Sequence, residues 1–121
     1  MLGTITYDFG NGITEAGGLY GRNSLLVKYN STGAAQWVAT VQTVPGTTYG
    51  GSGVELSGVS VAPDGSVFAA GSVLSSGYMD FGNNVTIVKN YATPAIDSSA
   101  AVLVKYDPSG TAQWARTIVS D

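Results

Sequence analysis

"LVKYNSTGAAQW" (Leu26–Trp37) and "LVKYDPSGTAQW" (Leu103–Trp114) share Leu, Val, Lys, Tyr, Gly, Ala, Gln and Trp at positions 77 residues apart. Each stretch spells a β-hairpin. A run of β-branched and aromatic residues ends at Tyr29 or Tyr106. Four turn-forming residues follow, Asn30-Ser31-Thr32-Gly33 or Asp107-Pro108-Ser109-Gly110. Asn or Asp opens a type I turn, Pro108 presets φ at its second position, and Gly takes the left-handed position. The return strand carries Trp37 or Trp114.

The longer stretches Ser24–Thr40 and Ala101–Thr117 also match, and a second motif is doubled: "DFGNGIT" (Asp8–Thr14) and "DFGNNVT" (Asp80–Thr86), 72 positions apart. The two offsets differ by about five residues, so the second copy holds an insertion in "VKNYATPAIDSS" (Val88–Ser99), which maps to a loop. Between the copies, "LSGVSVA" (Leu56–Ala62) and "SVFAAGSV" (Ser66–Val73) flank Pro63-Asp64-Gly65, a strong hairpin signal. With a short strand near Val85–Val88, this predicts four strands in a period of about 72 residues. Four antiparallel strands repeated in series make a propeller-type blade. The period exceeds the roughly 40–50 residues of compact blades, so Gln42–Gly53 and Val88–Ser99 are expected to be long loops.

The composition agrees with an all-β chain of one domain. Of 121 residues, 44% are hydrophobic but only 11% are charged, and glycine occurs 17 times. Five basic residues and a net charge of −3 leave no footprint for nucleic acid. No apolar run nears the roughly 18 residues of a membrane helix, so no membrane insertion is expected. Residues 1–20 lack the basic start and apolar core of a secretory leader. Cys is absent, which excludes disulfides and thiolate metal sites.

At these residues the sequence resembles the bacterial β-propeller repeat family called SBBP. Its repeats carry V-K-Y-x-x-x-G-x-x-x-W followed by V-x-x-D-G-x-V-x-x-x-G. The first part stands here as Val27–Trp37 and Val104–Trp114, the second as "VSVAPDGSVFAAG" (Val59–Gly71). The "DFGNG" segment recurs in versions from large bacterial surface proteins. The resemblance covers nearly the whole chain. It implies repeated blades and an extracellular or cell-surface location, and it brings no shared catalytic or binding residues. The hairpin is also similar to the tryptophan-docking hairpin of quinoprotein propellers, but their cofactor-site residues have no counterpart here, and no cofactor is expected.

A closed propeller needs about 4–8 blades, whereas this chain holds about 1.5. Residues 1–53 read as an incomplete first blade with a connecting loop, and 54–121 as a complete second blade. Isolated blades would expose apolar runs such as Leu25-Leu26-Val27 and Val102-Leu103-Val104. The chain is therefore expected to be an excerpt of a longer propeller or, as the favoured reading, to complete itself by homo-oligomerisation. A head-to-tail contact closes into a ring or runs on as a filament.

The chemistry points the same way. Without His there is no Ser-His-Asp or Cys-His centre. Asp64 and Asp107 belong to turns, and Asp8 and Asp80 to equivalent places in a repeat, a poor source for a catalytic carboxylate pair. The expectation is a non-enzymatic structural or interaction protein. Asp8 with Asn11 and Asp80 with Asn83 offer too few ligands for calcium. They read instead as turns in which Asp accepts backbone N–H bonds, Phe9 or Phe81 packs inward, and Gly10 or Gly82 allows the bend. No metal is expected. Trp37, Trp114, Tyr29, Tyr106, Phe9 and Phe81 are assigned to packing between blades. Lys28 and Lys105 read as snorkelling lysines at a strand rim. Asn30 and Asn84 match the glycosylation pattern but read as turn or strand residues. Outside the repeat, Tyr49, Tyr78 and Tyr91, with Tyr20, sit in polar or glycine-rich segments where binding residues collect. They carry the alternative reading, a glycan- or peptide-binding module of a larger secreted protein.

Overall fold

The computed structural model describes residues 5–17, 24–45, 53–73, 77–89 and 100–118. They form ten strands and no helix: β1 (Thr6–Asp8), β2 (Thr14–Ala16), β3 (Ser24–Tyr29), β4 (Ala35–Pro45), β5 (Val54–Val61), β6 (Val67–Val73), β7 (Gly77–Asp80), β8 (Thr86–Lys89), β9 (Ala100–Tyr106) and β10 (Ala112–Ile118). All pairings are antiparallel. The all-β class read from composition and strand pattern is thus observed. Among the described residues no closed barrel or propeller forms, so the blade reading goes beyond what is seen.

Five hairpins make three sheets. The β1–β2 hairpin stands as its own two-stranded sheet, β3-β4-β7-β8 form a second, and β5-β6-β9-β10 form a third in the order β10-β9-β6-β5. The chain alternates between the last two sheets, hairpin by hairpin, so neither can be peeled from the other as a continuous segment. Three sequence expectations change here. The second repeat contributes six described strands, not four. The hairpin of the second Asp-Phe-Gly-Asn motif does not join the β9–β10 sheet that follows it. It pairs instead with the far end of β4, with Gln42 opposite Asp80 and Pro45 opposite Gly77. For that reason Gln42–Pro45 is strand rather than the start of a loop. Pro45 is tolerated because it ends the strand, where a missing N–H costs little.

The β3–β4 and β9–β10 hairpins fold alike down to their irregularity. Ala35 faces Tyr29 and Trp37 faces Lys28, which leaves Gln36 as an extra residue; Ala112, Trp114 and Gln113 repeat this against Tyr106 and Lys105. The bulge twists the strand and turns the Trp toward the sheet face. A second bulge, in β5 between Leu56 and Gly58, presses that strand against β6. A Cβ on Gly71 would lie 1.8 Å from the Glu55 carbonyl oxygen, so no other residue fits there.

Strict alternation in β9 sends Ala100, Val102, Val104 and Tyr106 to one face and Ala101, Leu103 and Lys105 to the other. The first face, with Val67, Ala69 and Val73 of β6, packs against Trp37 and Val41 of β4 and partly buried Leu26 of β3. Met79, Phe81 and Ile87 from the β7–β8 hairpin extend the same core. Burying such side chains stabilises by roughly 1.5–3 kcal/mol each.

Candidate functional site

The most developed polar and aromatic constellation lies where β4 meets the β9–β10 turn. The indole Nε1–H of Trp37 donates to the Pro108 carbonyl at 3.0 Å. Its ring lies 6.1 Å from that of Tyr106, tilted by 34°. The ring also covers Gly110 so closely that a Cβ there would come within 2.5 Å of Trp37 Cδ2. With φ at +88°, Gly110 is also in the region that disfavours side chains.

The turn that receives the ring is held by Asp107. Its Oδ1 accepts from the backbone N–H of Ser109 and Thr111, each at 2.9 Å, and from the Ser109 hydroxyl. These bonds, the Thr111 N–H foremost, hold the carboxyl below the usual carboxylate range. In the first copy Asn30 does the same work, accepting from the N–H of Thr32 and Ala34. Asp64 likewise accepts from the Ser66 N–H in the β5–β6 turn, which lowers its pKa.

Further bonds join the sheets. Lys28 Nζ reaches the Gly65 carbonyl at 3.5 Å, and the Ser24 hydroxyl donates to the Val54 carbonyl. Lys28 is thus a tie between units rather than a simple rim residue, while Lys105 stands 5.6 Å over the Phe68 ring.

The doubled Asp-Phe-Gly-Asn segments are turns. Asp8 and Asp80 accept from the N–H of Gly10 and Gly82 at 2.8 Å. Phe81 is buried and Phe9 half-buried. The role of the following Asn was not legible in the sequence. Asn11 and Asn83 adopt left-handed φ of 53° and 52°, and their amides donate to the carbonyls of Ala35 and Ala112. Each motif therefore clips the hairpin of its own copy. Asn is among the few residues that tolerate this backbone while offering a donor. The only hint of this role was that Asn stayed constant in both copies while its C-terminal neighbour changed.

The assigned packing residues divide sharply. Trp37, Tyr106 and Phe81 are buried, but Tyr29, the twin of Tyr106, is 48% exposed. Trp114, the twin of Trp37, is half-buried, with Phe68 6.1 Å away and the Arg116 guanidinium 5.9 Å over its ring. The buried face Val102, Val104 and Tyr106 of β9 has as its twin the outward face Leu25, Val27 and Tyr29 of β3. Conversely Leu26 and Val41, which line the core, have as twins Leu103 and Ile118, which are exposed.

The Tyr106 hydroxyl is enclosed by this contact. Among the described residues it has no hydrogen-bond partner, and burial pushes its pKa up to about 12.

Of the residues considered for ligand binding, Tyr78 is exposed on β7, opposite exposed Val88. Tyr49, Tyr91 and Tyr20 lie outside the described residues. Among the described residues no three Asp, Glu, His or Cys side chains gather as a metal site would require, and no helix is long and apolar enough to cross a membrane. Comparison of the chain with protein-family models, with curated proteins and with solved structures finds no match.

Proposed function

We propose that this is a non-enzymatic structural repeat protein whose sheets are propeller-type blades and whose copies assemble head to tail, as a ring or a filament. One observation carries the reading. The same apolar strand face is sealed in the second repeat and partly open in the first, with Leu25 and Tyr29 exposed and Val27 half-buried, although the residues are nearly the same. Val102, Val104 and Tyr106 are at most 3% exposed, whereas Leu25 is 39% and Tyr29 48% exposed. A face whose composition matches a buried one is a face made to be covered. Closed rings and open filaments both arise from a heterologous contact between two different patches. Location at a bacterial surface rests on the resemblance of the repeat motifs alone.

Multi-angle light scattering tests this reading. The molar mass should rise above 12.3 kDa with concentration, and negative-stain microscopy should show rings or fibres. A constant monomer mass up to high micromolar concentration rules the reading out.

A further inference from the structure

The contact that would join two copies has a template inside one chain. We propose that Trp114 of one copy seats on the Tyr29 ring and the Asn30–Gly33 turn of a second copy, repeating the Trp37 contact; this rests on the self-assembly reading above and specifies its interface.

Each half of the template has a more exposed twin. Trp37 is received by the Tyr106 ring, the Pro108 carbonyl and the bare backbone of Gly110. The corresponding residues of the first copy are Tyr29, Ser31 and Gly33. Gly33 has the same left-handed backbone, φ +83°, and a Cβ on it would meet nothing within 4 Å. The seat is built and open. Its geometry is set locally, because Asn30 holds its turn by the same side-chain bonds as Asp107. The Ser31 carbonyl stands in the place of the Pro108 carbonyl as acceptor for the indole N–H.

The apolar surroundings match as well. Leu26 and Val41 share a core with Val102 and Val104 inside the chain. Their twins Leu103 and Ile118, 38% and 73% exposed, would cover Leu25 and Val27 of the next copy. Trp114, Leu103 and Ile118 share one face of the β9–β10 sheet, since Trp114 pairs with Lys105, and Ile118 with Ala101, on the side opposite Val104. The occupant is therefore a second copy of this chain: the patch and its seat occur on one molecule, at different places, and repeat the hairpin-to-hairpin part of a contact the molecule already uses once, with edge strands β3 and β10 in place of interior strands β9 and β4. Two side chains against the Trp114 ring depart from the template, Phe68 at 6.1 Å and Arg116. Arg116 stands where Ala39 does and lies over the Trp114 ring, so docking requires its guanidinium to swing to the rim.

The test uses three variants: Trp114→Ala and Ile118→Asp on one patch, Tyr29→Ala on the other. Sedimentation equilibrium and circular dichroism are recorded for each. The side chain of Ile118 is so exposed that its replacement leaves the fold intact even if Trp114→Ala unfolds the chain. Each variant alone should weaken association by about 30-fold or more, the size of an interface hot spot. An equimolar mixture of a Trp114→Ala or Ile118→Asp chain with a Tyr29→Ala chain should form a capped heterodimer and stop there, because each contributes the patch the other lacks. If wild type associates and all three folded variants associate equally well, the interface is wrong while self-assembly stands. If wild type remains a monomer, self-assembly itself fails.

Discussion

The hairpins β3–β4 and β9–β10 are nearly the same peptide in opposite surroundings. They share the bulge, the turn, the capping side-chain bonds and the Asn clip. Yet Trp37 is docked and Trp114 is half-open, and Tyr106 is enclosed where Tyr29 faces solvent. The contrast separates what a hairpin owes to itself from what it owes to a neighbour. Geometry within the hairpin repeats because it depends on contacts a few residues apart. Burial does not repeat, because it depends on which unit comes next.

The two hairpins should differ most when each Trp is truncated in turn and urea unfolding of dilute protein is measured. Trp37→Ala should cost about 3–5 kcal/mol, as for a buried aromatic ring. Trp114→Ala should cost less, about 1 kcal/mol, since it removes a half-buried side chain that touches Phe68 and Arg116. Equal costs would mean that the Trp37 contact adds nothing to the hairpin itself.

A smaller contrast comes from the turn glycines. Gly33→Ala should lose about 1 kcal/mol for the left-handed backbone alone. Gly110→Ala carries that loss plus overpacking against Trp37, about 1–3 kcal/mol more. In a Trp37→Ala background the difference should vanish, which a double-mutant cycle reads directly.

The enclosed hydroxyl of Tyr106 has the smallest effect at neutral pH and shows itself only on the alkaline side. Its pKa is raised in the folded chain, from 10.0 to about 12, so the unfolded chain ionises first as pH rises. Stability is therefore full below pH 10 and falls by roughly 2–3 kcal/mol between pH 10 and 12. Tyr106→Phe should remove this alkaline loss and be neutral or slightly stabilising at pH 7, because a buried hydroxyl without a partner gains nothing from being kept. Denaturant midpoints across that pH range decide it; an unchanged alkaline loss in the Phe variant would assign it to another group.

Much of the local structure was legible. Turn chemistry at Asn30–Gly33, Pro63–Gly65 and Asp107–Gly110 places the hairpins, and Asp8 and Asp80 are legible as residues that accept backbone N–H bonds at a bend. Where the sequence misled, long-range pairing was the reason. The Gly77–Asp80 strand is short and contains little alternation, and half of its pairing is with β4, from Pro45 opposite Gly77 to Gln42 opposite Asp80, far earlier in the chain. Gln42–Pro45 looks like loop in the sequence for the same reason. Nothing local separates Tyr29 from Tyr106, since identical residues cannot announce that one is enclosed and the other exposed.

By itself the sequence determined the all-β class, the doubled hairpin and the turns, because each depends on residues within about ten positions and on the φ preferences of Gly, Asn, Asp and Pro. Only the tertiary structure decided that successive hairpins alternate between two sheets, and that one Trp is docked while its twin waits half-open. Those outcomes depend on which apolar faces meet, and the hydrophobic effect that joins them is non-directional: it rewards burial without specifying, in any local stretch, the partner that provides it.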